Sequence, residues 1–136
     1  MAKKLQISDE FLELITNRIN TIYSEYFENS TVANNTLTNV GEMTLPKGTY
    51  IIMGFGSFGS NATGNRQLGI GSSESGGNYD RSTGVTVASV SGSATSVQVI
   101  AIISINTSVT FYLKARQNSG SSLSFTYGGL KAIKLK

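Results

Sequence analysis

The sequence contains no cysteine, no histidine and no tryptophan, and a single proline. Without cysteine there is no disulfide, thiolate nucleophile or sulfur-ligated metal. Without histidine, the side chain most used as general base and metal ligand is missing. Charge is sparse as well: 11 Lys and Arg stand against 8 Asp and Glu in 136 residues, a net charge of +3. No basic stripe with interleaved aromatics exists, so nucleic acid is not an expected partner. No apolar run is long enough for a bilayer span, so membrane insertion is not expected either. The opening Met1-Ala2-Lys3-Lys4-Leu5-Gln6 runs straight into Ser8-Asp9-Glu10, without the apolar stretch of a signal peptide. That pattern points to a chain made in the cytoplasm.

What the sequence has instead is Ser, Thr, Asn and 15 Gly, a composition that favours turns and strands. From Ser96 to Lys136 the alternation is regular. Val97, Val99, Ala101, Ile103 and Ile105 fall on one face of an extended strand. After Asn106-Thr107-Ser108, Val109, Phe111, Leu113 and Ala115 repeat the pattern. After Asn118-Ser119-Gly120, Leu123, Phe125 and Tyr127 alternate with Ser122, Ser124 and Thr126, and residues 130–135 form a closing strand. Period-two patterning between Asn/Ser/Gly turns predicts antiparallel strands with one face on a core. Upstream, Pro46 and Gly48 mark a turn into a strand over 49–58. There Tyr50, Ile52 and Phe58 share one face while Ile51, Met53 and Phe55 share the other. A strand apolar on both faces should be covered on both sides, by the core and by a second layer. Gly54, Gly56 and Gly59 weaken it unless close packing requires them. Further short strands are predicted over 66–70 and 85–90.

Residues 8–28 carry the one helical pattern. Ser8 suits an N-cap, and Asp9 and Glu10 suit the positive end of the helix dipole. Leu5, Leu12, Ile15, Ile19, Ile22 and Tyr26 fit a and d positions of a heptad. Two readings stay open: a helix docked on its own β-domain, and a short oligomeric coiled coil. The helix-to-sheet change places a boundary near residue 30, giving a helical stalk at 1–30 and a β-head at 31–136.

No catalytic constellation emerges. Most carboxylates lie in the helical stretch, and Glu74 and Asp80 share a Gly/Ser-rich loop with nothing to fix their separation. Gly54-Phe55-Gly56-Ser57-Phe58-Gly59 fits G-x-G-x-x-G, yet lies inside a strand with no helix following, so it is not a dinucleotide fingerprint. No enzyme activity, metal or cofactor is therefore expected. The best binding candidate is the loop Asn78, Tyr79, Asp80 and Arg81, whose aromatic face and planar polar groups suit a sugar or protein surface. Asn61, Asn65 and Arg66 on the neighbouring turn would join it if both loops share one end of the sandwich. Tyr112, Lys114, Arg116 and Gln117 alternate away from the core, as exposed surface or as a subunit contact, with Tyr112 assigned to the contact.

Two passages carry a family resemblance: LPKGTYIIMGFGSF at 45–58 and SVQVIAIISINTSVTFYLKARQNSGSSLSFTYGGLKAIKL at 96–135. Together they resemble the jelly-roll head of the C1q/TNF-like superfamily, in the form found in phage tail fibres and receptor-binding tail proteins. The resemblance covers about two thirds of the chain. It implies a homotrimer with the central strands against a three-fold axis. The combined expectation is a mainly β protein: an antiparallel jelly-roll β-sandwich (C1q/TNF-like) preceded by one N-terminal α-helix, for which a trimeric coiled coil is one of the two readings. The expected subunit interface is Leu12, Ile15, Ile19, Ile22, Tyr26, Ile51, Met53, Phe55 and Tyr112. The expected function is a non-enzymatic tail-fibre-like adhesion module recognising a host-surface carbohydrate, in contact with other virion tail proteins. The alternative is a purely structural virion subunit without a ligand. Either way the expected location is the virion, after synthesis in the host cytoplasm.

Overall fold

The computed structural model describes residues 8–13, 21–73 and 84–135. Eight strands account for most of them: β1 (Ile22–Val32), β2 (Thr38–Leu45), β3 (Gly48–Phe58), β4 (Asn65–Gly71), β5 (Gly84–Ala88), β6 (Thr95–Ile105), β7 (Val109–Gln117) and β8 (Leu123–Lys134). They form two four-stranded antiparallel sheets, sheet A with order β1-β8-β3-β6 and sheet B with order β2-β7-β4-β5. First pairs with last, second with seventh, third with sixth and fourth with fifth. The chain thus behaves as one long two-stranded ribbon rolled into a sandwich, the double Greek key of a jelly roll. The predicted fold class is the observed one, with a short helix at residues 9–13 near the N-terminus. Ser8 caps that helix: its Oγ accepts a bond from Phe11 N (3.2 Å), and its carbonyl accepts one from Leu12 N (3.0 Å).

The helical reading of 8–28 is corrected at its C-terminal part, because Ile22 to Val32 form the outer strand of sheet A. The error has a physical source. Ile22 and Tyr26 are four residues apart, a spacing that keeps two side chains on one face of a helix and of a strand alike. The segment IYSEYFENSTV is rich in aromatic and β-branched residues, which favour the strand. Ile15 and Ile19 lie outside the described residues, and Leu12 is exposed.

The core lies between the sheets. Tyr50, Ile52 and Phe58 of β3, Val97 and Val99 of β6, and Leu130 and Ala132 of β8 face Val40, Met43, Leu45, Leu68, Ile70, Phe111, Leu113 and Ala115 of sheet B. Two glycines are required by this packing. Gly56 and Gly128 pair across β3 and β8, and a Cβ on either would overlap the ring of Phe125. Phe125 in turn meets Phe58 edge-on, with centroids 5.3 Å apart. Tyr50 is fully buried and donates its hydroxyl to the Pro46 carbonyl at 2.7 Å. Burial, then the neighbouring Tyr23, raises the Tyr50 phenol above its ordinary value.

One phase change matters for the surface. The β3–β8 register shifts between Ser57 and Phe58, so Ser57 pairs with Tyr127 while Phe58 pairs with Phe125. Leu123 and Phe125 are buried, whereas Tyr127 is exposed. The sequence alternation had put all three on one face; the irregularity sends Tyr127 outward.

Candidate functional site

The expected ligand loop Asn78, Tyr79, Asp80 and Arg81 lies outside the described residues. Its proposed neighbours are described. Asn61 and Asn65 sit in and just after the β3–β4 turn, where the Asn61 Oδ1 accepts a bond from Thr63 N at 2.8 Å. Arg66 does not face solvent. Position 66 falls on the inner phase of β4 and is fully buried. Its Nη1 donates to the carbonyls of Thr63 (3.0 Å) and Asn65 (3.3 Å), and its Nη2 to that of Asn61 (2.8 Å). Its Nε has no partner. Burial lowers its pKa, but a guanidinium starts so high that it stays charged at working pH. Arg66 therefore acts from inside as a clasp on the turn.

The β3–β4 and β7–β8 turns share one end of the sandwich. Asn65 N donates to Asn118 Oδ1 at 2.6 Å, and Asn118 N donates to Asn65 O at 3.4 Å. The β1–β2 connection joins them: Asn35 N donates to Gln117 O at 2.7 Å, and Gly120 N to Asn34 Oδ1 at 2.9 Å. Gln117 is the hub of this end. Its buried amide donates to Val32 O (3.0 Å) and Ser121 O (2.7 Å) and accepts from Ser119 N (2.7 Å). The exposed-surface expectation for Gln117 is thus corrected, and Lys114 is buried too. Arg116 is exposed and Tyr112 half-buried. Between these turns Asn35, Asn65, Gln67, Arg116, Gln117 and Asn118 line a depression of about 120 Å³.

The other notable surface is the outer face of sheet A. Cross-strand registers place Ile22, Ile133, Ile51 and Ile102 in one row over all four strands. The next row is Ser24, Lys131, Met53 and Ile100, and the next Tyr26, Gly129, Phe55 and Gln98. Ile102 is 72% exposed, Tyr26 64%, Ile100 61% and Ile22 60%. Three rows over four strands amount to a flat area of roughly 400 Å², from strand spacing and rise. Phe55 lies over Gly129, where a Cβ would stand 2.7 Å from its ring. It meets Tyr26 edge-on at 6.2 Å, and Lys131 Nζ lies 5.4 Å from the Tyr26 centroid and 5.8 Å from that of Phe55. Beyond these rows lie the exposed Glu28 and Tyr127 at one end, and at the other Thr49 and Ser104, whose hydroxyls are 2.9 Å apart. Ile22, Tyr26, Ile51, Met53 and Phe55 are thus brought onto one surface, whereas Tyr112 belongs to sheet B. Ile100, Ile102 and Ile133 were missed by the sequence reading. For Ile100 and Ile102 the signal was the continuous run VIAIISI, which is apolar in both phases.

Among the described residues there is no group of three or more acidic side chains placed to hold a metal, and no helix long and apolar enough to cross a membrane. No protein-family model matches the chain, and no curated protein sequence matches it. Solved structures do match. The VP2 subviral particle of infectious bursal disease virus superposes with a TM-score of 0.57 at 11% identity, over 86% of this chain and 34% of that one. The Gx strain of the same virus gives 0.54 at 11% identity, over 85% and 34%. Its viral particle structure gives 0.52 at 11% identity, over 85% and 32%. The chain spans about a third of the length of these proteins. At such identity the likeness is one of fold: this chain is built as the jelly-roll-like β-sandwich that those viral proteins also contain.

Proposed function

We propose that the chain is a structural subunit of a virus particle that assembles with copies of itself through the outer face of sheet A. The observation that carries this is the four-isoleucine row and its apolar neighbours, left open to solvent in the single chain. The largest apolar patch on a typical monomer is roughly 300–600 Å² and is often functional. Roughly 400 Å² is about half of one partner's share of a standard interface, the rest falling to the polar rim. The face also holds a cation, Lys131, and an anion, Glu28, so copies of it offer each other opposite charges. The shared fold with virus-particle proteins supports the same reading. Assembly as a homotrimer, with β3 and β8 toward the axis, fits the C1q/TNF-like resemblance. The virion would be its site of action, after synthesis in the host cytoplasm.

Sedimentation velocity on the full chain tests this. Ile102→Glu places a carboxylate in the exposed apolar row, where it costs nothing in the free chain but is buried unpaired in the assembly. The expected result is an oligomer for wild type and a folded monomer for the variant. A monomeric wild type would overturn the proposal.

A second reading adds a ligand to the same assembly: a tail-fibre-like receptor-binding head, contacting other tail proteins and a host saccharide. The polar depression between the turns is the observation in its favour.

A further inference from the structure

The depression lined by Asn35, Asn65, Gln67, Arg116, Gln117 and Asn118 lies at one end of sheet B, away from the apolar face. Its described lining consists of planar polar groups, five side-chain amides and one guanidinium. Gln67 and Arg116 are direct cross-strand partners, so both rise from the same outer face. Among the described residues, neither makes a side-chain hydrogen bond, and Arg116 is exposed. The walls around them are fixed. Asn35 is held in a left-handed conformation (φ 56°) by its bond to Gln117 O, and the buried Gln117 amide is fully engaged. Asn65 and Asn118 lock each other, Asn65 N donating to the Asn118 side-chain oxygen and Asn118 N to the Asn65 carbonyl. Free polar groups on a rigid frame are what a preorganised polar site requires.

We propose that this depression binds a carboxylated monosaccharide. A guanidinium offers a planar fork of donors that matches a carboxylate. The side-chain amides of Asn35, Asn65 and Gln67 each offer a donor and an acceptor together, the pairing that adjacent sugar hydroxyls need, and Asn118 adds its NH2 donor. Among the described residues, no acidic side chain lines the site to repel an anion. No aromatic among the described residues lines it either, so these groups read the polar edge of the sugar. The volume of about 120 Å³ is well below the roughly 300–1,000 Å³ of drug-sized sites, which limits the occupant to one sugar unit. The assignment does not depend on the assembly proposed above, because all the described lining residues belong to one chain.

The test is a titration of the isotope-labelled full chain, followed by NMR, with N-acetylneuraminic acid and glucuronic acid. Glucose serves as the uncharged probe, and acetate as the bare carboxylate. Saturable shifts at the side-chain amides of Asn35, Gln67 and Asn118 are expected with at least one of the two sugar acids. Glucose and acetate at the same concentrations should leave them in place. Arg116→Gln should weaken binding by at least about tenfold, the loss of a charge-assisted pair. Gln67→Ala, a separate change on the neighbouring strand, should weaken it too. Both positions are outside the core, so unfolding midpoints should match wild type. Absence of saturable shifts with both acids overturns the proposal. So do equal shifts with acetate or glucose, or unchanged affinity in Arg116→Gln.

Discussion

Replacing Gly56 by Ala sets two physical effects against each other. In a strand interior, Ala is favoured over Gly by about 0.5–1 kcal/mol, because the unfolded glycine has more freedom to lose. Gly56 does not have a positive φ, so the backbone raises no objection. Packing predicts the opposite sign. The added methyl would overlap the Phe125 ring, which is fully buried, also abuts Gly128 and is wedged edge-on against Phe58. A ring boxed on three sides has no low-energy retreat. Overpacking of this kind costs about 1–3 kcal/mol, and the lack of escape puts Gly56→Ala in the upper part of that range. For a domain of this size the melting temperature should fall by about 5–10 °C. The assay is thermal and urea unfolding at one fixed protein concentration, since any self-association adds to apparent stability. A double variant with Phe125→Leu should lose less than the sum of the single changes, because the smaller side chain vacates the contested volume. A neutral or stabilised Gly56→Ala would refute the packing argument.

Other outcomes follow from the turn end and the core. Gln117→Ala strips partners from Val32 O, Ser121 O and Ser119 N, and should cost about 1–3 kcal/mol in urea unfolding if those groups stay dry. Tyr50→Phe removes a buried phenol whose pKa is raised in the folded state. The raised value means that folding favours the neutral form, so the Tyr50 contribution is complete below the unfolded value of about 10 and declines above it. Wild-type stability should therefore drop more steeply than that of Tyr50→Phe as pH rises past about 10, read from urea midpoints; parallel curves would remove Tyr50 from the alkaline response. Lys131→Glu converts the lone cation beside Tyr26 and Phe55 into an anion, and should weaken self-association more than Lys47→Glu, on sedimentation at equal concentration.

The sandwich was legible because Asn, Ser, Gly and Pro turns mark off short extended segments, of which Val109 to Ala115 most nearly keeps the period of two that no helix shares. The strand Ile22–Val32 was not, because its Ile22 and Tyr26 continue a helical spacing from Leu12, Ile15 and Ile19 without a break. Tyr127 was misplaced because a register irregularity is invisible to a strict alternation rule. Arg66 shows the same limit at a site. Its charge suggested a ligand contact, whereas its phase on β4 turns it inward onto the carbonyls of Asn61, Thr63 and Asn65. The assembly face was half visible. Ile51, Met53 and Phe55 stood out because both phases of their strand are apolar, but only the registers reveal Ile22, Ile133 and Ile102 beside them. The lining of the polar depression comes from three separate turns and strands, so no local pattern could announce it.

The central claim is that the outer face of sheet A is covered by copies of the same chain. Because the chain has no cysteine, a single introduced thiol reports on one place only. Ile102→Cys puts that thiol in the isoleucine row, and Thr86→Cys puts it on the outer face of sheet B. With a bulky maleimide, the account predicts that the thiol at position 102 reacts far more slowly than the one at 86 in the native protein, and equally fast in urea. Equal native rates at the two positions would contradict it.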